Sequence, residues 1–203
     1  MARYRGPRGK VCRRLDAPVF ESPKFANPRK NYPPGEHGPT SRARLSDYGI
    51  QMREKQKIKY MYGVLEKQFR NYFKKADRKN GITGHNLLQA LEARLDNVVF
   101  RLGFAPTRRA ARQLVSHRHI MVNGKIVNIP SFSIKASDDI TVRDKSKRME
   151  LILNSIKKIK GDQILPWLSI DKAKLSGTFE QIPERTQIPE EINEQLVVEL
   201  YSK

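Results

Sequence analysis

The chain has 203 residues, a formal net charge of +19, a charged fraction of 30% and a hydrophobic fraction of 38%. That length suits one or two compact domains, and no run approaches the roughly 18 apolar residues of a membrane-spanning helix. A single cysteine, Cys12, rules out an internal disulfide and fits a reducing compartment, so the cytosol is the expected location. Arg3, Arg5, Arg8 and Lys10 lead into no apolar stretch, so no secretory signal is expected. The excess of cations calls for a polyanionic partner, either nucleic acid or an anionic membrane surface. It is also uneven: residues 161–203 hold four Lys/Arg against eight Asp/Glu, a net −4, which leaves +23 on residues 1–160.

Residues 1–44 carry eleven Lys/Arg, three acids and seven prolines. Proline removes amide donors and fixes φ, so long helices are not expected there. The reading is an irregular basic segment that orders on a polyanion, with a turn-rich loop at Pro33-Pro34-Gly35-Glu36-His37-Gly38. Ser46 is placed to cap a first helix over 46–62, crowded by Arg53, Lys55, Lys57 and Lys59. After Gly63, the residues Leu65, Phe69, Tyr72, Phe73 and Ala76 recur at the spacing of one buried helical face. Asn80-Gly81 ends that helix. Thr83 opens a third, with Leu87, Leu88, Leu91 and Leu95 in register, and a continuation or fresh short helix carries Val98, Val99 and Leu102 up to Gly103.

Thr107 then caps a short helix with an apolar face of Ala110, Ala111, Leu114 and Val115. Arg108 and Arg112 are four apart, and Arg109 is three from Arg112, so the three arginines are expected to crowd the opposite face. Two runs rich in β-branched residues, Ile120-Met121-Val122 and Lys125-Ile126-Val127, flank Asn123-Gly124. That pair is the sequence signature of a type I′ hairpin, because both central residues need positive φ. Lys125 lies near its tip. Strand-like runs follow at 131–134 and 139–142, then a helix at 149–159. Extended segments are expected around Pro166-Trp167-Leu168 and Gly177-Thr178-Phe179. The Leu-Val-Val core of 194–201 suits a short strand or a docked terminal turn.

Catalytic signatures are scarce. No nucleophile elbow, phosphate-cradling Walker loop or His-Glu-x-x-His occurs. Ala93-Arg94-Leu95-Asp96 resembles the Arg-Leu-Asp signature of pseudouridine synthases, but there it follows an RNA module and here it precedes one. Asp96 is better read as the cap of the turn holding Val98 and Val99. His117-Arg118-His119 lacks a second group of ligands for a metal site, and these rings are better placed to stack on, or donate to, RNA. A helix with an apolar back and an arginine front can lie along phosphates, which guanidinium forks engage bidentately. Such a surface reads nucleic-acid shape more than base sequence.

At this point a family resemblance becomes specific. The run at 93–127, "ARLDNVVFRLGFAPTRRAARQLVSHRHIMVNGKIV", closely resembles the RNA-binding module of the bacterial small-subunit ribosomal protein number four, the "S four" family. So do "MARYRGP", "YPPGEHG" at 32–38, "LSDYGIQMREKQKIKYMYGVLEKQFRNYF" at 45–73 and "EINEQLVVELYSK" at the end. The resemblance covers nearly the whole chain. It implies an α+β protein: a basic N-terminal segment (1–44), a helical domain (45–92, completed by 150–203), and an inserted RNA-binding module (93–149) of short helices on a small sheet with a hairpin.

The resemblance further implies a structural, non-enzymatic component of the small ribosomal subunit. Its partners would be the 5′ region of small-subunit rRNA, mRNA at the channel through which it enters the subunit, and the fifth small-subunit protein. Assembly nucleation and translational accuracy would be its roles. No cofactor, metal, membrane or small-molecule substrate is implied. The candidate rRNA contacts are Arg3, Arg5, Arg13, Arg14, Lys55, Lys57, Arg108, Arg109, Arg112, His117, Arg118 and Lys125. Arg42, Arg44 and Arg53 are the candidates for mRNA. The net-negative C-terminal part is expected to face protein or solvent. Some relatives hold zinc through four cysteines; the corresponding positions here are Gly9, Cys12, Phe20 and Phe25, and one thiolate cannot make a structural zinc site. Two other readings are an RNA-modifying enzyme, for which the chain leaves no room, and a free-standing RNA-binding stress factor, which would not need the basic N-terminal segment.

Overall fold

The computed structural model describes residues 3–40, 44–158 and 165–202. The chain divides into two compact units, Met1–Leu87 with Glu190–Lys203, and Leu88–Pro189.

In the first unit the basic segment contains two short helices, α1 (Arg8–Leu15) between Pro7 and Asp16 and α2 (Pro23–Ala26). Arg13 ties α1 to the proline-rich loop, donating from Nε to the Tyr32 carbonyl at 2.9 Å and from Nη2 to that of Pro33 at 3.1 Å, with its guanidinium over the Tyr32 ring. Cys12, Leu15, Val19 and Phe20 form a buried cluster against which Phe25 packs, the two phenyl rings 6.0 Å apart. The residues at the zinc-ligand positions of some relatives thus meet as an apolar knot. Burial pushes the Cys12 thiol up, against backbone hydrogen bonds from Val19 and Phe20, and one thiol among phenyl rings does not fit a zinc ion.

Ser46 caps α3 (Asp47–Met61) by accepting from the Gly49 amide at 3.3 Å. Helix α4 (Glu66–Asp77) buries Phe69, Phe73 and Ala76. The helix α9 (Glu194–Tyr201) packs on α3, and Tyr201 stacks on Phe73 at 4.5 Å. The expectation of a strand or turn at 194–201 is therefore corrected. Leu196, Val197, Leu200 and Tyr201 recur at helical spacing, and burial of that face outweighs the β preference of the paired valines.

The boundary between units falls inside α5 (Thr83–Glu92). In the second unit α6 (Leu95–Arg101) and α7 (Arg108–Ser116) pack together. The sheet comprises β1 (Ile120–Val122), β2 (Lys125–Ile126), β3 (Asp138–Val142), β4 (Leu168–Asp171) and β5 (Ser176–Phe179). Its order is β2-β1-β3-β5-β4, antiparallel throughout. Helix α8 (Glu150–Ile156) adds Ile152 and Ile156 to a core that includes Trp167, Phe104, Ile120, Ile140 and Phe179. Gly177 is where β5 admits no side chain: a Cβ would come within 2.9 Å of the Ser169 carbonyl and collide with Leu102.

Two expectations change here. Residues 150–189 are expected in the helical domain, yet β4 and β5 extend the sheet from β3, so only the last turns of the chain join the first unit. No strand forms over 131–134. The stretch keeps a single antiparallel bridge, Ser133 with Arg94, made by Leu95 N–H to the Phe132 carbonyl at 2.9 Å and Ile134 N–H to that of Ala93 at 2.8 Å, beside Asp96 N–H to the Pro130 carbonyl at 3.0 Å.

Candidate nucleic-acid interface

Thr107 caps α7, accepting from the Ala110 amide at 3.1 Å. The helix's arginines do not form one outward face. Arg108 is buried, donates from Nε to Asn97 Oδ1 at 2.7 Å and lies over the Phe100 ring at 4.7 Å. The reason is in the spacing: Arg108, Ala111 and Val115 share a face at i, i+3 and i+7, and that face is the buried one. Arg109 is half-buried. Arg112 is half-buried too and reaches Asp96 Oδ2 at 3.2 Å. Asp96 also takes both forks of Arg94, at 3.0 and 2.7 Å. Glu92 accepts from Asn97 at 2.7 Å and from both forks of Arg101 at 3.1 and 2.7 Å.

Two buried carboxylates thus neutralise and aim a set of arginines. Asp96 does not cap α6, whose preceding residue Arg94 makes no side-chain cap. Nor is its carboxylate placed to attack a nucleotide, being enclosed and doubly paired.

The exposed cations of this unit lie beyond α7. His117 and Arg118 are exposed, and Arg118 takes a φ of 63° as the chain turns into β1. His119 bonds Ser146 Oγ through Nδ1 at 2.8 Å, and its ring lies 6.1 Å from that of His117. Burial holds its pKa below the usual imidazole range, helped by His117 and Arg143. Arg143, which sequence reasoning passed over, donates its amide to the His119 carbonyl at 2.9 Å. Its signal was the run Val142–Arg148, with four cations in seven residues.

The hairpin turn has φ 49° at Asn123 and 75° at Gly124, as the Asn-Gly pair requires. Asn123 bonds Asp138 Oδ1 at 2.8 Å and accepts from the Asp139 amide at 2.9 Å, so the tip bearing exposed Lys125 is braced against β3. Lys125 pairs in register with Val122, one β1 length, about 10 Å, from His119.

In the first unit Arg3, Arg5 and Arg14 are exposed, whereas Arg13 is taken up by its loop. Lys55 is buried against Glu66 at 2.8 Å, and Lys59 meets the other oxygen at 3.2 Å. Burial opposes ionisation of Glu66, but the two lysines outweigh it and hold the carboxyl below its usual range. Lys57 donates to the Glu191 carbonyl at 2.6 Å. Arg44 is exposed, Arg53 is half-buried, and Arg42 lies outside the described residues. Sequence reasoning missed the outer face of α4, where Lys67, Lys74 and Lys75 stand exposed opposite Phe69 and Phe73, with Arg78 and Lys79 just beyond. The acidic end is partly used internally: Glu199 accepts from Gln51 at 3.0 Å, and Glu194 lies 3.6 Å from His85.

Family profiles match along the chain, "Ribosomal protein S4/S9 N-terminal domain" over residues 3–92 and "S4 domain" over residues 93–140. Curated relatives match end to end. "Small ribosomal subunit protein uS4" of Parabacteroides distasonis is 58% identical over 203 residues, all of both chains. Its counterparts in Porphyromonas gingivalis and Bacteroides thetaiotaomicron are 56% and 55% identical over the same full lengths. The chain belongs to the S4 family of ribosomal proteins. As an S4-family protein it is non-enzymatic and a constituent of the cytoplasmic translation machinery. Within the S4 module, the Arg-Leu-Asp stretch that resembled a catalytic signature supplies the carboxylate that organises α7.

Proposed function

We propose that this chain is a primary binder of small-subunit rRNA, acting early in subunit assembly on the 5′ region, and that it helps set the accuracy of translation. The observation that carries the reading is the set of cations held on β1, β2 and β3: exposed Arg118, Arg143 bonded through its amide to the His119 carbonyl, and exposed Lys125 on its braced hairpin. A surface fixed before binding loses little entropy when phosphates arrive. Exposed Arg3, Arg5 and Arg14 and the outer face of α4 add a second basic area. Buried Arg108 and Lys55 act by holding these surfaces in shape.

Arg44 and Arg53, with Arg42, form the part that meets mRNA where it enters the subunit. Tyr48, 57% exposed four residues after Arg44, offers a ring on which an unpaired base can stack. The exposed carboxylates Glu180, Glu184 and Glu191 suit a protein neighbour, such as the fifth small-subunit protein, better than phosphate. The test is a footprint of the protein on small-subunit rRNA with a salt titration. Arg118→Ala with Lys125→Ala should weaken binding and lower the salt slope by roughly 0.7–0.9 for each phosphate no longer neutralised. Unchanged binding and slope would refute the rRNA surface. Arg44→Ala with Arg53→Ala should slow translation of strongly folded messages more than of unstructured ones, and equal slowing would refute the mRNA role.

A further inference from the structure

The first unit contains a cleft of about 450 Å³ between α1 and α3, within the volume range of small-ligand sites. Its geometry follows from two helical faces. Lys10 and Arg14 are four apart on α1, beside Val11 and Leu15; Met52, Gln56, Lys59 and Tyr60 recur on α3 at i, i+4, i+7 and i+8. Tyr4 also lines the cleft, its ring edge-on to that of Tyr60 with centroids 5.0 Å apart. Apolar and aromatic walls therefore face a rim of cations. Lys10 and Arg14 are exposed, while Lys59 is held by Glu66 at 3.2 Å and lies over the Tyr60 ring at 5.0 Å.

One polar group in the lining is left over. Among the described residues Gln56 Oε1 is buried without a hydrogen-bond partner, and Gln56 Nε2 has only the Met52 sulfur, at 3.7 Å. A buried carbonyl oxygen without a donor is costly, and thioether sulfur is a weak acceptor. The terminal amide torsion is soft, so both ends of Gln56 can turn to a better partner in the cleft. A carboxamide recognises adenine through this pair of atoms, accepting from N6 and donating to N7.

We propose that the α1–α3 cleft is a nucleotide-binding site that takes one unstacked adenosine nucleotide of the bound RNA. The base lies against Tyr4, Met52 and Tyr60, its N6–H and N7 meet the Gln56 amide, and its phosphate meets Lys10 and Arg14 at the rim. Base–aromatic contact tolerates any base, so the preference for adenine rests on Gln56. The inference depends on the RNA-binding reading above, but it assigns a base-specific pocket, which that reading lacks.

The test is a titration of the isotope-labelled full chain with AMP, UMP and inorganic phosphate, followed by nuclear magnetic resonance. AMP should shift the Gln56 side-chain amide and the backbone signals of Lys10, Arg14 and Tyr60, and should bind roughly fivefold or more tightly than UMP. Gln56→Met, which keeps the volume, should equalise the two nucleotides. Lys10→Ala with Arg14→Ala should weaken both and keep their ratio. An equal response to AMP, UMP and phosphate, shifts that map outside the cleft, or a preference for AMP that survives Gln56→Met would overturn the site. Wild-type binding to small-subunit rRNA, measured alongside, separates the two ideas. Tight rRNA binding without an AMP response rejects the pocket alone, and absence of rRNA binding rejects the broader reading.

Discussion

Two regions, the α6–α7 pair of the second unit and the outer face of α4 in the first, use their cations in opposite ways. In the second unit arginines are drawn inward: Arg94 and Arg112 to Asp96, Arg101 to Glu92, Arg108 to Asn97 and the Phe100 ring. In the first unit the outer face of α4 carries Lys67, Lys74 and Lys75 on the surface, with phenylalanines on the inner face. An inward arginine is part of the fold, and its removal should be felt there first. An outward lysine is a point charge whose removal the fold barely feels. A count of basic residues cannot tell the two kinds apart, although mutation should do so at once.

The largest effect is expected at the inward network. Asp96→Ala leaves Arg94 and Arg112 without their shared carboxylate, and breaking a buried pair from one side costs about 3–5 kcal/mol. Urea unfolding followed by Trp167 reports this directly, since that ring is buried in the same unit. Arg108→Ala should act in the same direction, so its effect on RNA binding will be confounded by unfolding. Wild-type midpoints for both variants would show that the network is incidental.

At the outward face, Lys74→Ala with Lys75→Ala should leave stability within about 0.5 kcal/mol of wild type. It should flatten the salt dependence of rRNA binding, by roughly 0.7–0.9 in slope per phosphate that either lysine had neutralised. A stability loss like that of Asp96→Ala would erase the distinction between the two regions. The hairpin brace falls between the extremes. Asn123→Ala forfeits a residue suited to positive φ and two hydrogen bonds, and should cost about 1–2 kcal/mol. Lost amide-exchange protection confined to β1, β2 and β3 would confirm it.

The smallest effect is a pH dependence. His119 has a folded-state pKa below its ordinary value, so the unfolded chain binds the proton more readily. Its neutral form contributes stability above about pH 6.5, the unperturbed value, and that contribution is lost as the pH falls below it. The urea midpoint should drop between pH 7 and pH 5.5 in the wild type and drop less in His119→Gln. Equal slopes would assign the dependence to other groups.

Much of this architecture was legible where local chemistry is decisive. Ser46 and Thr107 cap the helices they precede, and Asn123-Gly124 turns with positive φ at both positions. These signals depend on a few adjacent atoms. What the sequence concealed depends on distant partners. Residues 168–179 join the sheet because β3 offers them an edge. The stretch at 194–201 is helical because α3 receives its apolar face. Arg108 escaped for another reason. Its spacing with Ala111 and Val115 marked it as inward, but a guanidinium on a buried face makes sense only once Asn97 and Phe100 are known to be there.

The edges of the sheet bear on the life of the protein before it meets RNA. Among the described residues one outer strand, β2, is two residues long and begins with Lys125; the other, β4, ends at Asp171, whose carboxylate takes the amides of Ala173 and Lys174 as the chain turns away. Short, charged or promptly turned edges give a second molecule little ladder to extend. A newly made copy waiting for its RNA therefore offers poor templates for strand-to-strand stacking, and its surface charge adds mutual repulsion. The same economy of edge that makes this sheet small should keep unassembled copies dispersed.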